Sequence, residues 1–288
     1  MKSKFKFISI FFAILIALSC SSQKVKNDWA RENLQGKVMT FSEFSYKAES
    51  RFGNIEKGNR EREPGTGFDF KIRFNQKGNI IEKNEYFYTS DRNLGPMTTY
   101  KYGREGKKIE EAIYGSNGNL DFKTTYKYDQ KEKMIEEKTY NSNGILYFSK
   151  TYIYDQRENM IEEHTTYVSN MTLNSSKTYK YDEKGRVINE NTIASNGTLN
   201  SSTTYKYDQT GNMIEENYTE ANIDYKVTYK YDKKGNQNEK NLYHKYDILN
   251  YKKDYQIMYD KQGNWTKKII FENKIPKLIL EREYEYYD

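Results

Sequence analysis

Four pairs of adjacent glutamates and six regularly spaced aspartates invite a chemical reading of this 288-residue chain. The pairs are Glu110-Glu111, Glu136-Glu137, Glu162-Glu163 and Glu215-Glu216; the aspartates are Asp129, Asp155, Asp182, Asp208, Asp232 and Asp260. Paired carboxylates can act as acid and base on one substrate or share a cation. Neighbours in an extended strand point to opposite faces, so no pair can do either alone. Stacked across strands, one member of each pair would form a ladder able to hold calcium loosely. The plainer reading is a solvated face neutralised by lysines such as Lys127 and Lys206. The aspartates recur at a fixed period, as turn residues do, whereas a catalytic acid is expected once. His164 and His244 are the only histidines and Cys20 the only cysteine. That leaves too few ligands for a zinc site and too few partners for a nucleophile–histidine–acid set. No glycine-rich phosphate loop occurs. The expectation is a protein without catalytic activity, metal or cofactor. The alternative, a hydrolase of envelope glycan, needs a unique acidic pair that breaks the repeat, and none is found.

The 29 tyrosines are the strongest compositional signal. They come in Tyr-x-Tyr pairs, among them Tyr126 and Tyr128, Tyr152 and Tyr154, Tyr179 and Tyr181, and Tyr205 and Tyr207. Tyr100 and Tyr102, and Tyr229 and Tyr231, extend the series. Stacked copy over copy they would form two ladders. A tyrosine ring can bury while its hydroxyl reaches a polar partner, which suits a thin sheet. The same rigid amphipathic surface suits sugars or peptides, because it loses little entropy on binding. These eight tyrosines, Tyr126 to Tyr207, are the candidate binding residues, with a glycan or an envelope protein as the expected partner.

The elements that must position them follow from a repeat. Tyr102-Gly103, Tyr128-Asp129, Tyr154-Asp155, Tyr181-Asp182, Tyr207-Asp208, Tyr231-Asp232, Tyr259-Asp260 and Tyr287-Asp288 are separated by 26, 26, 27, 26, 24, 28 and 28 residues. Phe74-Asn75 is an earlier, worn copy. A fixed period in this range signals a repeat architecture. In "TTYKYDQTGNMIEENY" (Thr203 to Tyr218) the first five residues alternate, with Thr203, Tyr205 and Tyr207 on one side and Thr204 and Lys206 on the other. Asp208 and Gly211 supply turn chemistry, and "MIEENY" returns. "SNG" at 116–118, 142–144 and 195–197 forms the next turn. Each unit is two strands and two tight turns, with no room for a crossover helix. The fold class is therefore all-β, an antiparallel hairpin array or β-meander of about eight copies of a 24–28-residue unit. Its sheet is either elongated or curled; about sixteen strands exceed the roughly ten that a twisted sheet carries flat. A three-residue loop would set Tyr207 opposite Met213 and a four-residue loop Tyr205 opposite Ile214. The second is preferred because it groups Tyr205, Ile214 and Tyr218.

The strings "TTYKYDQTGNMIEENY", "KTYKYDEKGRVINE" and "YDKQGNW" resemble the YD-repeat (Rhs-like) family over roughly residues 68–288. The wider pattern, from "GKVMTFSEFSYKAESRFGNIEKG" to the C-terminal "YDKQGNWTKKIIFENKIPKLILEREYEYYD", is similar to uncharacterised lipoproteins of Bacteroidetes-type bacteria. In large toxins such repeats build a hollow shell around an enzyme domain. Eight copies are too few for that shell, so the resemblance implies the repeat type and no activity. Gly103, and Glu132 where glycine is expected, depart from the pattern and imply locally looser turns.

The chain ends set the expected location. Lys2, Lys4 and Lys6 precede an apolar run, Phe7 to Leu18, that is shorter than the roughly 20 residues a spanning helix needs. Residues 1–19 thus read as an export signal, and Cys20 after "ALS" resembles the lipobox cysteine of bacterial lipoproteins. Ordinary secretion would cut at the same place. Lipidation of Cys20 would anchor the protein to a membrane through its N-terminus. The segment "SSQKVKND" lacks an early acidic cluster, which favours the periplasmic side of the outer membrane. Residues 20–33 are then a tether, 34–67 an N-terminal cap, and 68–288 the repeats with an atypical C-terminal cap. Cleavage removes three lysines and lowers the net charge from +6 to +3. With 47 basic and 41 acidic side chains interleaved, the surface is mixed and does not suit nucleic acid.

Overall fold

The computed structural model describes residues 27–61, 69–86, 94–168, 175–233, 235–244 and 247–288. The export signal, Cys20 and the first half of the tether lie outside the described residues. Among the described residues, one short helix, α1 (Asp28–Arg31), precedes nineteen strands. They are β1 (Val38–Arg51), β2 (Asn54–Arg60), β3 (Asp69–Phe74), β4 (Ile80–Tyr86), β5 (Leu94–Tyr102), β6 (Lys108–Tyr114), β7 (Leu120–Tyr128), β8 (Met134–Asn141), β9 (Leu146–Tyr154) and β10 (Met160–Tyr167). Then follow β11 (Ser175–Tyr181), β12 (Val187–Ile193), β13 (Leu199–Tyr207), β14 (Met213–Glu220), β15 (Ile223–Tyr231), β16 (Gln237–His244), β17 (Ile248–Tyr259), β18 (Trp265–Glu272) and β19 (Ile275–Tyr286).

From β3 to β19 each strand pairs antiparallel with the next, as a meander requires. The sheet does not stay open. β1 pairs with β19 along Val38 to Lys47 and with β3 along Thr40 to Glu43, joining the two ends of the meander. The result is a closed eighteen-stranded barrel, with β2 as a hairpin partner on the upper half of β1. Closure removes both unpaired edges, which an open sheet of this length would leave exposed. The stretch 34–67 therefore contributes the closing strand.

The apolar residues concentrate at this seam. Val38, Phe41, Ile72 and Phe74 are buried with Leu34, and Trp29, Tyr284 and Tyr286 pack against them. Ile270, Leu278 and Leu280 form a second cluster on the same face, and Ala48, Ile269 and Ile279 a third on the opposite face. Phe41, Phe74, Ile279 and Val38 are the largest fully buried side chains. Each contributes about 1.5–3 kcal/mol by leaving water. The aliphatic C-terminal stretch thus belongs to the element that needs burial most, the one locking the ring.

Both kinds of turn are three-residue loops, such as Gln209 to Gly211, closed by the same backbone pair. In the aspartate turn after β13, the Asp208 N–H donates to Asn212 O (2.9 Å) and the Gly211 N–H to Asp208 O (3.2 Å). Asp208 Oδ1 also accepts the Asn212 N–H at 2.8 Å. In the "SNG" turn after β12, Ala194 and Thr198 repeat the closure, and Gly197 N–H donates to Ala194 O. The preferred four-residue loop is corrected to the three-residue alternative. Tyr207 pairs with Met213, a bulge follows, and Tyr205 faces Glu216. The bulge extrudes Ile214 to the exposed side, so it does not join Tyr205 and Tyr218.

The expectation of looser turns at Gly103 and Glu132 is also corrected. Gly103 N–H donates to Lys107 O at 2.8 Å, and Asp129 N–H to Lys133 O at 2.8 Å, as in the other copies. Glu132 adopts φ +66°, where Gly211 has φ +97°. Its left-handed backbone is held by Lys107 of the preceding turn, whose Nζ lies 2.9 Å from the Glu132 carboxylate. Glu158 also has φ +66°, with Lys133 Nζ at 3.0 Å. A cross-turn ion pair accompanies the strained residue wherever glutamate replaces glycine.

Candidate functional site

The pleat sorts the chemistry-bearing residues onto two faces. On β7, Thr124, Tyr126 and Tyr128 share one face and Lys123, Thr125 and Lys127 the other. On β13, Thr203 and Tyr205 are buried while Lys206 keeps 66% of its side chain exposed. Side chains converge on the concave side of a closed sheet, so the covered tyrosine face is the inner wall and the lysine face the outer one.

The two tyrosines of each pair do different work. The second one braces the turn. Tyr102, Tyr128, Tyr154, Tyr207 and Tyr231 donate to the carbonyls of Ile80, Lys108, Met134, Val187 and Met213 at 2.7–2.8 Å. Tyr181 does the same to Met160. Each acceptor is the first residue of the preceding return strand. Burial, then the neighbouring turn aspartates and tyrosines, push Tyr154 and Tyr181 up to about 12.

The first tyrosine joins a Tyr–Glu belt that runs from β5 to β14. Tyr100 is paired with Glu111, Tyr126 with Glu137, Tyr152 with Glu163, Tyr179 with Glu190 and Tyr205 with Glu216. The hydroxyls reach the other way round the ring. Tyr126 donates to Glu111, Tyr152 to Glu137 and Tyr229 to Glu216, each at 3.0 Å. Each carboxylate between two rings is thus flanked by a register partner and, where the bond forms, by a donor. Burial, followed by the adjacent carboxylates, raises the tyrosines of this belt well above the ordinary phenol range. Lysines enter the same wall: Lys108 Nζ lies 2.8 Å from Glu111 and 4.7 Å from the Tyr126 ring centroid. Lys150 Nζ is 3.0 Å from Glu163.

The glutamate pairs are therefore split, and the solvated-face reading is corrected for half of them. Glu111, Glu137, Glu163 and Glu216 belong to the inner belt. Glu110 and Glu215 face outward, where Lys101 and Lys123 both approach Glu110 at 2.7 Å and Lys206 approaches Glu215 at 2.7 Å. Glu239 receives Lys230 at 2.8 Å and Lys252 at 2.6 Å. These two lysines and Asn241 hold its carboxyl down at about 2, against the opposing effect of burial.

All eight candidate tyrosines line one face, as the alternation requires, but most of their hydroxyls are already bonded within the wall. The belt carboxylates and the lysines between them are likewise bonded to one another, as in Lys108–Glu111 and Lys150–Glu163. At the "SNG" end, Phe122, Tyr147, Phe148 and Tyr167 form an aromatic group with ring centroids 5.4–6.4 Å apart. In the sequence Phe122 and Phe148 recur 26 residues apart, and Tyr147 is the residue that departs from the repeat. Among the described residues, no three His, Cys, Asp or Glu side chains are grouped to hold a metal ion.

At the aspartate-turn end the N-terminal segment lies across the inner wall. Trp29 N–H donates to Gly78 O at 3.1 Å, and Asp28 accepts from Ile80 N–H (2.7 Å) and the Tyr102 hydroxyl (3.0 Å). Gln35 N–H donates to Asn264 Oδ1 at 2.7 Å, and Asn264 Nδ2 returns a bond to Gln35 O at 2.8 Å. Gly78 is required here twice over. It has φ +80°, and an added Cβ would lie 2.4 Å from Asn27 Nδ2 and 2.6 Å from the Trp29 ring. Glu32 in this segment is raised by burial; Arg282 opposes that rise, and Glu43 and Asp28 reinforce it. Arg282 pairs with Glu43 at 2.7 Å and stacks over Phe41 and Trp265.

No family model and no curated protein matches the chain. Among solved structures, it is similar to a porin-like protein from Bacteroides uniformis, at 9% identity and TM-score 0.44, covering 87% of this chain and 98% of that one. A porin-like protein from Bacteroides vulgatus aligns at 14% identity and TM-score 0.32, over 87% and 98% of the two chains. The TcdB2-TccC3 toxin structure aligns at 12% identity and TM-score 0.37, covering 78% of this chain. The chain spans 14% of that toxin chain's length. At these values the likenesses say nothing about activity or about individual residues.

Proposed function

We propose that the protein is a non-enzymatic lipoprotein of the bacterial cell envelope, tethered through Cys20, whose barrel is a rigid frame for binding a polymer or protein partner. The observation that carries this reading is the recurrence of the chemistry-bearing side chains in the same kinds of bond in several copies. Turn aspartates accept turn N–H groups, second tyrosines brace carbonyls, first tyrosines meet belt glutamates, and outer glutamates meet lysines. A catalytic centre needs a constellation that differs from its surroundings. A repeated surface instead offers many weak, equivalent contacts, which suits an extended partner.

The outer wall supports a barrel that stands outside the bilayer. A barrel crossing a membrane presents an apolar band about 25 Å tall to lipid. Here the outward positions of β13, β14 and β15 are Ser202, Thr204, Lys206, Glu215, Asn217, Thr219, Lys226, Thr228 and Lys230. Such a wall belongs in water, and the lipid alone supplies the membrane attachment.

The test is an array of envelope glycans and envelope proteins probed with the mature chain, with product release from each glycan followed in parallel. Saturable binding without release is expected. Turnover of any glycan would replace this reading with that of a hydrolase.

A further inference from the structure

Near the "SNG" rim the inner wall carries a group of side chains that the rest of the repeat does not reproduce. Phe122 on β7 and Phe148 on β9 hold equivalent positions, which Ser175 and Ser201 occupy on β11 and β13. Phe122 continues the inward set of Thr124 and Tyr126, and Phe148 that of Lys150 and Tyr152. Tyr167 on β10 is the register partner of Phe148. The ladder between β8 and β9 pairs Thr139 with Phe148 and Tyr140 with Leu146, passing over Tyr147. This bulge turns the Tyr147 ring to the side of the phenylalanines, 5.4 Å from Phe122 and 6.0 Å from Phe148.

The group is open to solvent and uncharged. Tyr147 is 38% and Tyr167 41% exposed. Among the described residues their hydroxyls make no hydrogen bond, whereas Tyr126 and Tyr152 direct theirs to belt glutamates. Beside the rings, Thr124 and Thr139 are buried and bonded to each other at 2.8 Å. Lys150 and Glu163, the first charged inward residues along β9 and β10, form an ion pair at 3.0 Å and cancel. The turns above, residues 115–119 and 141–145, contain no charged side chain.

Geometry narrows the occupant. The rings lie on the concave side of a closed wall, which a bilayer or a second barrel, resting on the rim tips, does not reach. β7 to β10 are paired on both sides, so they offer no strand edge to a peptide backbone. Nucleic acid needs clustered cations, and none are here. A thin, uncharged sugar chain meets every condition. The C–H faces of its pyranose rings lie on the aromatic rings, and its hydroxyls meet those of Tyr147 and Tyr167. Phe122 and Phe148 stand two strand spacings apart, about 9.6 Å, which linked sugar rings span. Solvent reaches the inner wall on neighbouring strands too, since Lys108 and Lys177 keep 33% and 37% of their side chains exposed.

We propose that Phe122, Tyr147, Phe148 and Tyr167 form a stacking site for an uncharged glycan chain entering the barrel at the "SNG" rim. The inference rests on the barrel being a binding frame, and it adds the place and the ligand class.

The test is isothermal titration calorimetry of the mature chain with cellohexaose, maltohexaose and chitohexaose in its N-acetylated form. A proline-rich peptide is titrated for comparison. Saturable binding of at least one sugar is expected, and added salt should not change it, because no charge takes part. Tyr147→Ala and Tyr167→Ala should each weaken binding about tenfold. Tyr147→Phe and Tyr167→Phe, which keep the ring and its packing, should weaken it about threefold through the lost hydroxyl. Leu199→Ser, at an exposed apolar position of the same rim, should leave it unchanged. Binding that ignores the tyrosine substitutions, or that Leu199→Ser weakens equally, overturns the site. So does failure of all three sugars, or capture of the peptide in their place. If another glycan or an envelope protein on the array still binds, the binding frame stands without this site; an array blank throughout removes both.

Discussion

The hydroxyl of Tyr152 on β9 donates a 3.0 Å hydrogen bond to the carboxylate of Glu137 on β8. Glu137 is at the same time the register partner of Tyr126 on β7. One carboxylate therefore links two successive hairpin units, and Glu111 and Glu216 repeat the arrangement elsewhere in the inner wall. Tyr152→Phe should cost about 1–2 kcal/mol, because it removes a hydrogen bond to a charged acceptor. In a double-mutant cycle with Glu137→Gln by urea denaturation, a coupling of about 0.5–1.5 kcal/mol is expected. Additive losses would show that the belt is a geometric coincidence.

Turn conformation makes a second prediction. Gly211 has φ +97°, so Gly211→Val forces a β-branched side chain into a region it avoids, at about 1–3 kcal/mol. Asp208→Ala loses turn hydrogen bonds at an exposed site and should cost less. At the corresponding position of an earlier copy, Glu132→Gly should be neutral or stabilising by up to about 1 kcal/mol. It relieves the left-handed strain and forfeits only an exposed ion pair with Lys107. Thermal melts of the three variants give the ranking; a destabilised Glu132→Gly would show that the ion pair outweighs the strain.

The turn-bracing tyrosines set an alkaline limit. Unfolded tyrosines titrate near 10, whereas Tyr154, Tyr181 and Tyr231 are pushed up to about 12 by burial and nearby acids. Above pH 10 the unfolded chain releases protons that the folded chain retains, so stability is complete below that pH and falls from there toward 12. Absorbance at the phenolate band, followed with circular dichroism, should show these hydroxyls ionising late, together with unfolding. Early, reversible titration of the whole tyrosine complement near 10 would contradict the buried wall.

Ring closure separates two deletions that a simple repeat array would treat alike. Removing Asp129 through Tyr154 joins Tyr128 to Asp155 in phase and leaves sixteen strands with both seams intact. This variant should remain a β-rich monomer of lower stability. Removing residues 27–61 deletes β1 and strips the partner from β3 and β19. It should associate through those edges. Light scattering after size exclusion, with circular dichroism, distinguishes them; a monomeric second variant would mean that the ends close without β1.

Anchoring is checked in cells. Cys20→Ser should abolish labelling by a fatty-acid probe and release the protein from membranes, whereas unchanged membrane retention would refute the lipid anchor.

Local chemistry determined much of this protein before any tertiary contact formed. Alternation in "TTYKY", the Asp and Gly of the loops and a 24–28-residue period already specify antiparallel hairpins, and they put Tyr126 to Tyr207 on one face. The tertiary structure decided the rest. Whether Tyr205 meets Ile214 or Glu216 depends on loop length and on a bulge, and a bulge is set by the pairing of whole strands, which the turn residues alone leave undetermined. The split of the glutamate pairs between belt and outer wall follows from that register. Closure itself is a contact between residues more than two hundred positions apart, such as Phe41 with Tyr284. No periodicity encodes such a pairing. It is fixed by the accumulated twist and curl of seventeen successive strands, which bring β3 and β19 near enough for β1 to bridge them.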